Sequence, residues 1–490
     1  MFEAAELGRR VSKKEFATQE PQLHTRLLEV QRELRTTDIP VIIIVSGVEG
    51  AGKGAVVNRL NEWLDTRGIQ THAFWDESDE ERERPTFWRF WRCIPARGSI
   101  GIMFGSWYTR PIIDFVFARC KTSEYELQLR RISKFERMLT EDGALIVKFW
   151  FHMSKTDQKR QLKKENKDKK YTPLLKKFSK RYKSFSQASE HAIRLTDQGK
   201  CPWHLVEATD RRYRDLTVGR ILLNTIEQRL QSHNCGTRVA TRGIETEVSR
   251  SAAVTILDHV DLTRKLSVRN YKSQLAKYQR KAYQLAWDAK QKKRSSIAVF
   301  EGWDAAGKGG AIRRLTAAMD ARLYKVISIA SPTDEEKAHQ YLWRFWRHLP
   351  RSGYVTLYDR SWYGRVLVER VEQFAREDEW QRAYLEINDF EEQLHEQGIV
   401  ISKFWIHISK EEQLRRFKER EKIPWKAHKI TDEDWRNRKK WDAYKTAIND
   451  MVSHTSTEFA HWTLVPGNDK KLARIEVLKT FCSRLEEALS

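Results

Sequence analysis

A glycine-rich segment in the second half of the chain has the residue types of a phosphate-binding loop. Gly302 and Gly307 are separated by four residues, and Lys308 follows directly. An apolar run precedes the segment and a helical pattern follows it. In that context the backbone N–H groups of Ala305, Ala306 and Gly307 and the positive end of the helix bind phosphate oxygens, and the lysine adds a mobile charge. The alternative, a strand-to-helix turn with a solvated lysine, fits the flanking pattern less well.

Two carboxylates predict a divalent cation at this loop. Gly309 stands where many P-loop proteins have a Ser or Thr that binds magnesium, and Asp304 lies inside the loop. Asp359 ends an apolar run, and parallel sheets bind ligands at the carboxyl ends of their strands. We predict that Asp304 and Asp359 hold Mg²⁺, with Arg360 beside them for phosphate. A helix cap at Asp304 and an ion pair between Asp359 and Arg360 are the structural alternatives.

The chain contains an internal repeat. Lys308 lies 255 positions after Lys53, and the same offset relates Lys403 to Lys148. A constant offset indicates two copies of one fold. Nearer the end of each copy the offset becomes 259, so the copies differ in length by an insertion that falls in the region of the basic stretch 155–200. We predict a first domain over residues 1–232, a linker over 233–258 and a second domain over 259–490.

The first copy lacks part of the predicted site. Phe104 and Gly105 stand where the second copy has Asp359 and Arg360, and Glu49 replaces Asp304. A copy without the second carboxylate cannot hold the cation in the same way. We therefore predict that the first copy is catalytically degenerate and is kept for structure or for binding a polymer.

Alternating periodicities predict the elements that position these residues. In the second copy we expect a strand over Ser296–Glu301 and a helix over Gly310–Ala318. Apolar runs at Val355–Tyr358 and Ile399–Ile406 are separated by a helical pattern at Trp380–Gln397. Strands alternating with helices predict an α/β fold whose parallel sheet is covered on both faces.

Composition indicates a polyanionic partner. The chain has 90 Lys and Arg against 67 Asp and Glu, a net charge of +23. Nucleic acid and a phosphate polymer both fit this excess. No apolar run is long enough to cross a membrane, and the N-terminus has no signal-peptide core. The five cysteines are scattered, so we expect reduced thiols in a cytoplasmic protein rather than disulfides or a zinc site.

Four strings resemble the polyphosphate kinase 2 family, and the resemblance covers most of 262–485. They are GWDAAGKGG at 302–310, WRFWRHLP at 343–350, YDRSWYGRVLVERV at 358–371 and KFWIHISKEEQLRRF at 403–417. The two-copy layout resembles the fused subgroup of that family. The resemblance implies tandem P-loop, kinase-like three-layer α/β/α domains, each with a helical lid. It also implies that the terminal phosphoryl group of inorganic polyphosphate is transferred to AMP, giving ADP, without an organic cofactor.

The resemblance assigns further residues. Arg344 joins Asp304, Lys308, Asp359 and Arg360 among the active-site positions. Arg415, Arg416 and Arg420 fall on the lid, where we predict a catalytic role for Arg416 and substrate-binding roles for the other two. Predicted substrate-binding roles also fall to two loop glycines and to two residues of family motifs, namely Gly302, Gly309, Glu369 and Lys403. The family often has Asp-Pro in the lid where this chain has Ile423-Pro424, so the lid's fine geometry is expected to differ. The fused layout also leaves room for association into homo-oligomers.

Three other functions compete with this interpretation. A polyphosphate-dependent ADP kinase of the same family uses the same residues. A nucleic-acid-binding P-loop protein explains the charge but not the grouping of Asp304, Asp359 and Lys308, and the chain has no recognised nucleic-acid module. The string at 343–348 could stack bases, but its spacing favours a packed helix. Gly309 argues against an ordinary ATP-dependent kinase.

Overall fold

The structure is a computed structural model that describes residues 1–167, 180–234, 255–422 and 431–490. The chain divides into two compact units. The first contains Met1–Glu77, Thr333–Gln340 and the described residues of Arg89–Val239. The second contains Ser78–Trp88, Tyr341–Ser490 and the described residues of Ala240–Pro332. Each unit thus includes a short segment of the other sequence repeat. Most of the predicted linker lies outside the described residues.

The first repeat contributes five strands and nine α-helices to the described part of the chain. The strands are β1 (Val41–Gly47), β2 (Ile69–Ala73), β3 (Ile100–Phe104), β4 (Leu145–His152) and β5 (Trp203–Glu207). The helices are α1 (Lys13–Leu34), α2 (Lys53–Trp63), α3 (Asp79–Arg82), α4 (Trp88–Trp91), α5 (Thr109–Val116), α6 (Thr122–Glu141), α7 (Lys155–Lys167), α8 (Tyr182–Thr196) and α9 (Arg211–Asn234). Short 3₁₀ helices span Phe2–Ala5 and Thr66–Gly68.

The second repeat follows the same order. Its strands are β6 (Ser296–Gly302), β7 (Tyr324–Ser328), β8 (Val355–Asp359), β9 (Val400–His407) and β10 (Trp462–Pro466). Its described helices are α10 (Val268–Gln291), α11 (Lys308–Thr316), α12 (Asp334–Lys337), α13 (Trp343–Trp346), α14 (Val368–Val371), α15 (Glu377–Glu396), α16 (Lys410–Glu421), α17 (Asp432–Lys439), α18 (Trp441–Thr455) and α19 (Lys470–Leu489). Further 3₁₀ helices span Ile256–His259 and Trp362–Arg365.

Each unit contains a five-stranded parallel sheet with the loop-bearing strand at its centre. The strand orders are β2-β3-β1-β4-β5 and β7-β8-β6-β9-β10. Every residue of β1 is buried, and only the last residue of β6, Gly302, is not fully buried. Because successive side chains point to opposite faces of a strand, complete burial means that helices cover both faces. The predicted fold class, two tandem α/β domains with parallel sheets, is confirmed.

Helix α13 shows how the aromatic–basic string packs. It is a single turn in which Trp343, Phe345 and Trp346 are buried. The rings therefore belong to the core of the second unit rather than to an exposed surface on which bases could stack. The packed-helix interpretation of this string fits the structure.

The turn between β6 and the following loop requires glycine at position 302. Gly302 has a φ of 150°, and a Cβ placed there would lie 2.6 Å from the backbone oxygen of Ile406 on β9. No side chain can occupy that space without moving the neighbouring strand. The glycine therefore allows β6 and β9 to pair up to the point where the loop begins.

Two remaining features concern membranes and the lid. No helix in the described part of the chain is long and apolar enough to cross a bilayer. Helices α16 and α17 occupy the region of the predicted lid. Ile423, Pro424 and Trp425 lie outside the described residues.

Candidate active site

A cavity of about 530 Å³ opens at the carboxyl end of the second sheet. It is lined by the loop 303–307, the start of α11, the ends of β7 and β8, and residues of α16, α17 and α19. Cations outnumber acids on its wall. The cations are Lys308, Arg313, Arg360, Arg416, Arg420, Lys470 and Arg474, and the acids are Asp304, Asp359, Glu419 and Asp434. Such a wall favours a ligand with several negative charges.

The glycine-rich loop has the geometry of an anion-binding site. Gly307 caps α11 with a φ of 112°, so the helix begins at Lys308 and its first N–H groups face the cavity region. Lys308 Nζ donates to the carbonyl oxygens of Gly302 at 2.7 Å and Trp303 at 3.4 Å. Among the described residues, no carboxylate lies within ion-pair distance of Lys308. The lysine charge is therefore available to a phosphate group.

Asp304 is held from two sides within the loop. Asn437 donates its amide to Asp304 Oδ2 at 2.9 Å, and Arg360 Nη2 lies 3.6 Å from Oδ1. The backbone oxygen of Asp304 accepts a hydrogen bond from Gln413 at 3.2 Å. The Asp304 side chain is only 14% exposed. Its carboxylate is therefore oriented by neighbours on α17 and at the end of β8, and its backbone is held from α16.

Asp359 and Arg360 leave the sheet at the edge where Asp304 lies. Asp359 is in register with Phe300 on β6 and with Ser328 on β7, and it lines the cavity. Arg360 has a φ of 65° and its N–H donates to the Phe300 carbonyl. A non-glycine residue in this conformation costs on the order of 1–3 kcal/mol. The first unit has Gly105 there, with a φ of 73°, so the second unit keeps the arginine side chain despite the strain.

The two acids fit a magnesium ion. No group of three or more His, Cys, Asp or Glu side chains that could hold a metal is found among the described residues. Asp304 and Asp359 nevertheless face one cavity beside a phosphate-binding loop. Mg²⁺ is commonly held by one or two carboxylates together with substrate phosphates and water. The donor set therefore suits a magnesium ion whose remaining ligands come from the phosphate substrate and from water.

Arg416 braces the loop. Its guanidinium donates five hydrogen bonds, all of them to protein oxygens. The side chain is only 2% exposed. Nε donates to Glu412, and the two Nη groups donate to the carbonyls of Ala305, Ala306, Gly467 and Asn468. Burial lowers the pKa of this guanidinium, and the Glu412 hydrogen bond opposes the shift. The contacts join α16 to the loop; a direct catalytic role for Arg416 remains a prediction.

The other predicted residues are distributed around the cavity or away from it. Arg420 and Gly309 line the cavity. Arg344 donates to the carbonyl of Ala330, directly after cavity residues Ser328 and Ile329. Arg415 is 60% exposed and pairs with Glu412 and Glu419. Glu369 pairs with Arg365 at 3.2 Å.

Lys403 occupies a closed polar cluster rather than the cavity. Its Nζ, fully buried, donates to Glu391 at 2.7 Å, to the Tyr363 hydroxyl at 2.8 Å and to the Thr455 carbonyl at 2.6 Å. In the first unit, Lys148 has the same kinds of partner, including Glu136 at 2.8 Å. A cluster shared by both units points to packing rather than to substrate binding.

Several residues of the site were missed in the sequence. Glu301, at the end of β6, is buried and accepts a hydrogen bond of 2.7 Å from Ser361. Burial raises the pKa of the Glu301 carboxyl, although the Ser361 hydrogen bond opposes the shift. Arg313 lies on α11, directly after the loop, whereas Lys470 and Arg474 lie on α19, far from the loop in sequence. The sequence could have indicated Lys470 and Arg474, because α19 follows the end of β10 and must begin at the same edge of the sheet as the loop.

The corresponding loop in the first unit is neutralised by its own side chains. Lys53 Nζ donates to Glu49 at 2.8 Å. Arg214, whose side chain is 6% exposed, pairs with Asp215 and donates to the Ala51 carbonyl. A Cβ placed at Gly52 would collide with the Arg214 guanidinium.

The positions on α19 that correspond to Arg214 and Asp215 carry residues of different size and charge. At the offset of 259, Ala473 stands where the first unit has Arg214, and Arg474 stands where it has Asp215. Both Ala473 and Arg474 line the cavity of the second unit. The second unit therefore has open space and a positive charge where the first has a buried ion pair.

A central strand, glycine-rich loop and helix, with a lysine and two carboxylates at the ends of parallel strands, define a P-loop protein with a phosphate site. Residues 10–234 and 265–490 each match the family described as Polyphosphate kinase 2. The chain belongs to the polyphosphate kinase 2 family, and the resemblance seen in the sequence is confirmed.

Relatives match the whole chain. A protein named Polyphosphate:AMP phosphotransferase from Pseudomonas aeruginosa is 48% identical over 100% of this chain and 99% of its own length. Proteins of the same name from Pseudomonas syringae and Acinetobacter johnsonii are 45% and 37% identical, over 100% and 95% of this chain and 99% and 96% of their own lengths. A solved structure described as a polyphosphate kinase 2 from Pseudomonas aeruginosa superposes with a TM-score of 0.90 at 48% identity, covering 100% of this chain and 99% of that one.

Proposed function

We propose that the chain transfers the terminal phosphoryl group of inorganic polyphosphate to AMP, forming ADP. The observation that carries this proposal is similarity over the whole chain, including both repeats, to proteins named Polyphosphate:AMP phosphotransferase. The cavity of the second unit supports it, because a cation-rich wall surrounds a phosphate-binding loop. Polyphosphate is a donor that carries a negative charge on every phosphate, which also accounts for the net charge of +23.

The second unit is the proposed catalytic unit. Its loop has a lysine with no carboxylate within ion-pair distance in the described part of the chain, and Asp359 and Arg360 lie at the same edge of the sheet. In the first unit, Glu49 neutralises Lys53 and Arg214 fills the space beside Gly52. We propose that the first unit has a structural or polymer-binding role and that only the second transfers phosphate.

Magnesium is the proposed metal, held by Asp304 and Asp359. When bound, it would supply positive charge to the phosphate oxygens of donor and acceptor. Asn437 and Arg360 keep the Asp304 carboxylate oriented toward the cavity before the substrates arrive. No organic cofactor is needed, because phosphoryl transfer depends chiefly on alignment and charge neutralisation.

The remaining residues act on the phosphates. The backbone N–H groups at the start of α11 and the Lys308 ammonium group bind the transferred group and stabilise its charge. Arg360, Arg420 and Arg474 would bind the neighbouring phosphates of donor and acceptor. The attacking oxygen of AMP is already an anion at neutral pH, so the site needs no strong general base.

Partners and location follow from this reaction. We propose polyphosphate and AMP or ADP as the ligands, and neither nucleic acid nor a membrane as a partner. A cytoplasmic location is also a proposal, supported by the scattered positions of the five cysteines in the sequence. Association into homo-oligomers remains a prediction.

The test is chromatography of nucleotides after the purified chain is incubated with AMP, Mg²⁺ and long-chain polyphosphate. ADP should form first and only when polyphosphate is present. Formation of ATP from ADP, with no product from AMP, would instead assign the ADP kinase reaction. The absence of product from both acceptors would overturn the proposal, and salt-sensitive DNA binding without turnover would favour the nucleic-acid alternative.

A further inference from the structure

One face of the helical segment 432–455 contacts the phosphate loop. Asn437, Trp441 and Tyr444 are spaced by four and three residues, so they share that face across the break between α17 and α18. The Trp441 ring stacks on loop residue Trp303 with a centroid distance of 3.6 Å and an interplanar angle of 5°. Asn437 contacts the other loop side chain, Asp304. The segment therefore touches the loop at two consecutive residues.

The hydrogen bonds around Asn437 run in one direction. Tyr444 donates its hydroxyl to Asn437 Oδ1 at 3.1 Å, and Asn437 Nδ2 donates to Asp304 Oδ2 at 2.9 Å. An ionised carboxylate only accepts, so the amide must present its NH₂ group to Asp304 and its oxygen to Tyr444. Burial raises the pKa of the Tyr444 hydroxyl, which keeps it a donor. The three groups form a relay that ends on the loop carboxylate.

The relay decides which way Asp304 faces. Arg360 Nη2 stands 3.6 Å from Oδ1, which is longer than the roughly 2.7–2.9 Å of a charge-assisted hydrogen bond. The Asn437 amide binds the other oxygen, Oδ2, without adding charge. Oδ1 thus has no close hydrogen bond to the guanidinium and has room to bind another cation.

We propose that Asn437 is a positioning residue that fixes the Asp304 carboxylate and so sets the affinity of this site for a divalent cation. The inference rests on the proposed function, in which Asp304 is a magnesium ligand. Asn437 acts through Asp304 and does not touch the reacting phosphates.

The first repeat lacks this arrangement. At the offset of 259, the sequence has Phe178, Tyr182 and Phe185 where the second repeat has Asn437, Trp441 and Tyr444. Phe178 lies outside the described residues, but phenylalanine has no group that can donate to a loop carboxylate. The repeat that lost the second metal-binding acid also has no amide donor at this position.

The test measures Mn²⁺ binding to the full chain by the loss of the free-ion electron paramagnetic resonance signal, without nucleotide or polyphosphate. Asn437→Ala should raise the Mn²⁺ dissociation constant about tenfold, because a hydrogen bond to a charged group is lost. Tyr444→Phe should raise it about threefold, and the double variant should match Asn437→Ala, since both changes break one relay. Lys439→Ala, at an exposed position of α17, is the matched control and should leave binding unchanged.

Several outcomes would overturn the inference. These are an unchanged dissociation constant in Asn437→Ala, effects that multiply in the double variant, or no Mn²⁺ binding by the wild-type chain. If Asn437→Ala does not fold, Tyr444→Phe decides alone, and an unchanged constant there counts against the relay.

A parallel measurement of ADP formation separates this inference from the proposed function. Excess Mg²⁺ should restore most of the Asn437→Ala rate, as expected for weakened metal affinity rather than a lost catalytic group. If the wild-type protein binds Mn²⁺ and loses affinity in Asn437→Ala but forms no ADP, the proposed function is wrong and the positioning role of Asn437 stands. If Asn437→Ala has normal turnover and unchanged Mn²⁺ affinity, the positioning role is wrong and the proposed function stands.

Discussion

Lys53 Nζ lies 2.8 Å from Glu49 Oε1, so the loop lysine of the first unit is paired with an acid of its own loop. In the second unit, the acid at the same loop position, Asp304, contacts Asn437 and Arg360 instead. The difference of one methylene between Glu and Asp matters here, because the longer side chain reaches back to the lysine. Two loops of similar sequence therefore present different charges to a ligand.

The two loop lysines should differ in their contribution to turnover. Lys308→Ala should lower kcat for ADP formation by about 10²–10³, the effect of removing one group that stabilises transition-state charge. Lys53→Ala is the matched control and should stay within about twofold of wild type, because that lysine is already neutralised by Glu49. Steady-state rates at saturating AMP and polyphosphate measure both. Equal losses in the two variants would mean that the first unit also catalyses.

Asp359→Asn tests the second acid with almost no change in shape. The amide cannot supply the negative charge that a divalent cation needs, so we expect kcat to fall by more than about 10²-fold, with no recovery at high Mg²⁺. The melting temperature should be unchanged or slightly raised, since a negative charge close to the buried Glu301 is removed. Activity near the wild-type level would exclude Asp359 as a metal ligand.

The buried lysine of each unit provides a test of packing against substrate binding. Lys403→Met should destabilise the second unit by about 3–5 kcal/mol, because the Glu391 carboxylate is left buried without a cation. Lys148→Met should cost the first unit a similar amount through Glu136. Denaturant unfolding of the full chain measures both losses. A stable Lys403→Met protein with a raised KM for polyphosphate would instead support the substrate-binding role.

His407 should make stability depend on pH. Burial lowers the pKa of its imidazole to about 4, and Nδ1 accepts a hydrogen bond from Trp303 at 3.1 Å, which requires the neutral ring. The unfolded chain binds the proton near pH 6.5, so the stabilisation is complete above that pH and is lost as the pH falls toward 4. Between pH 7 and pH 5 the expected loss is about 2 kcal/mol. His407→Gln keeps an acceptor for Trp303 but cannot titrate.

Unfolding curves at pH 7 and pH 5 compare the two proteins. The loss on acidification should be smaller in His407→Gln than in wild type by about the same 2 kcal/mol. An identical pH dependence in both proteins would show that other groups dominate acid unfolding.

The sequence was most informative where function depends on neighbouring residues. The loop from Gly302 to Lys308 and the strand ending in Asp359 were visible because local periodicity and spacing define them. The observed bounds of β6 and β8 extend only one residue beyond those predicted. The helix after the loop begins at Lys308 rather than Gly310, because Gly307 supplies the cap.

The sequence is less informative where a motif residue lies inside the core. Lys403 belongs to a string typical of the family, but a string does not state which way a side chain points. The structure turns Lys403 toward Glu391 and away from the cavity. Arg416, on a helix of the predicted lid, has its guanidinium bound to loop carbonyls.

By itself the sequence determined the duplication, the α/β class, the phosphate loop and the loss of the second acid from the first copy, since each depends on residue identity at fixed spacing. Only the tertiary structure decided which distant side chains complete the site. Asn437 reaches Asp304, and Arg474 reaches the cavity, because the sheet order brings the helices after β9 and β10 to the edge where the loop begins. Such contacts join residues separated by more than a hundred positions, and no local pattern encodes them.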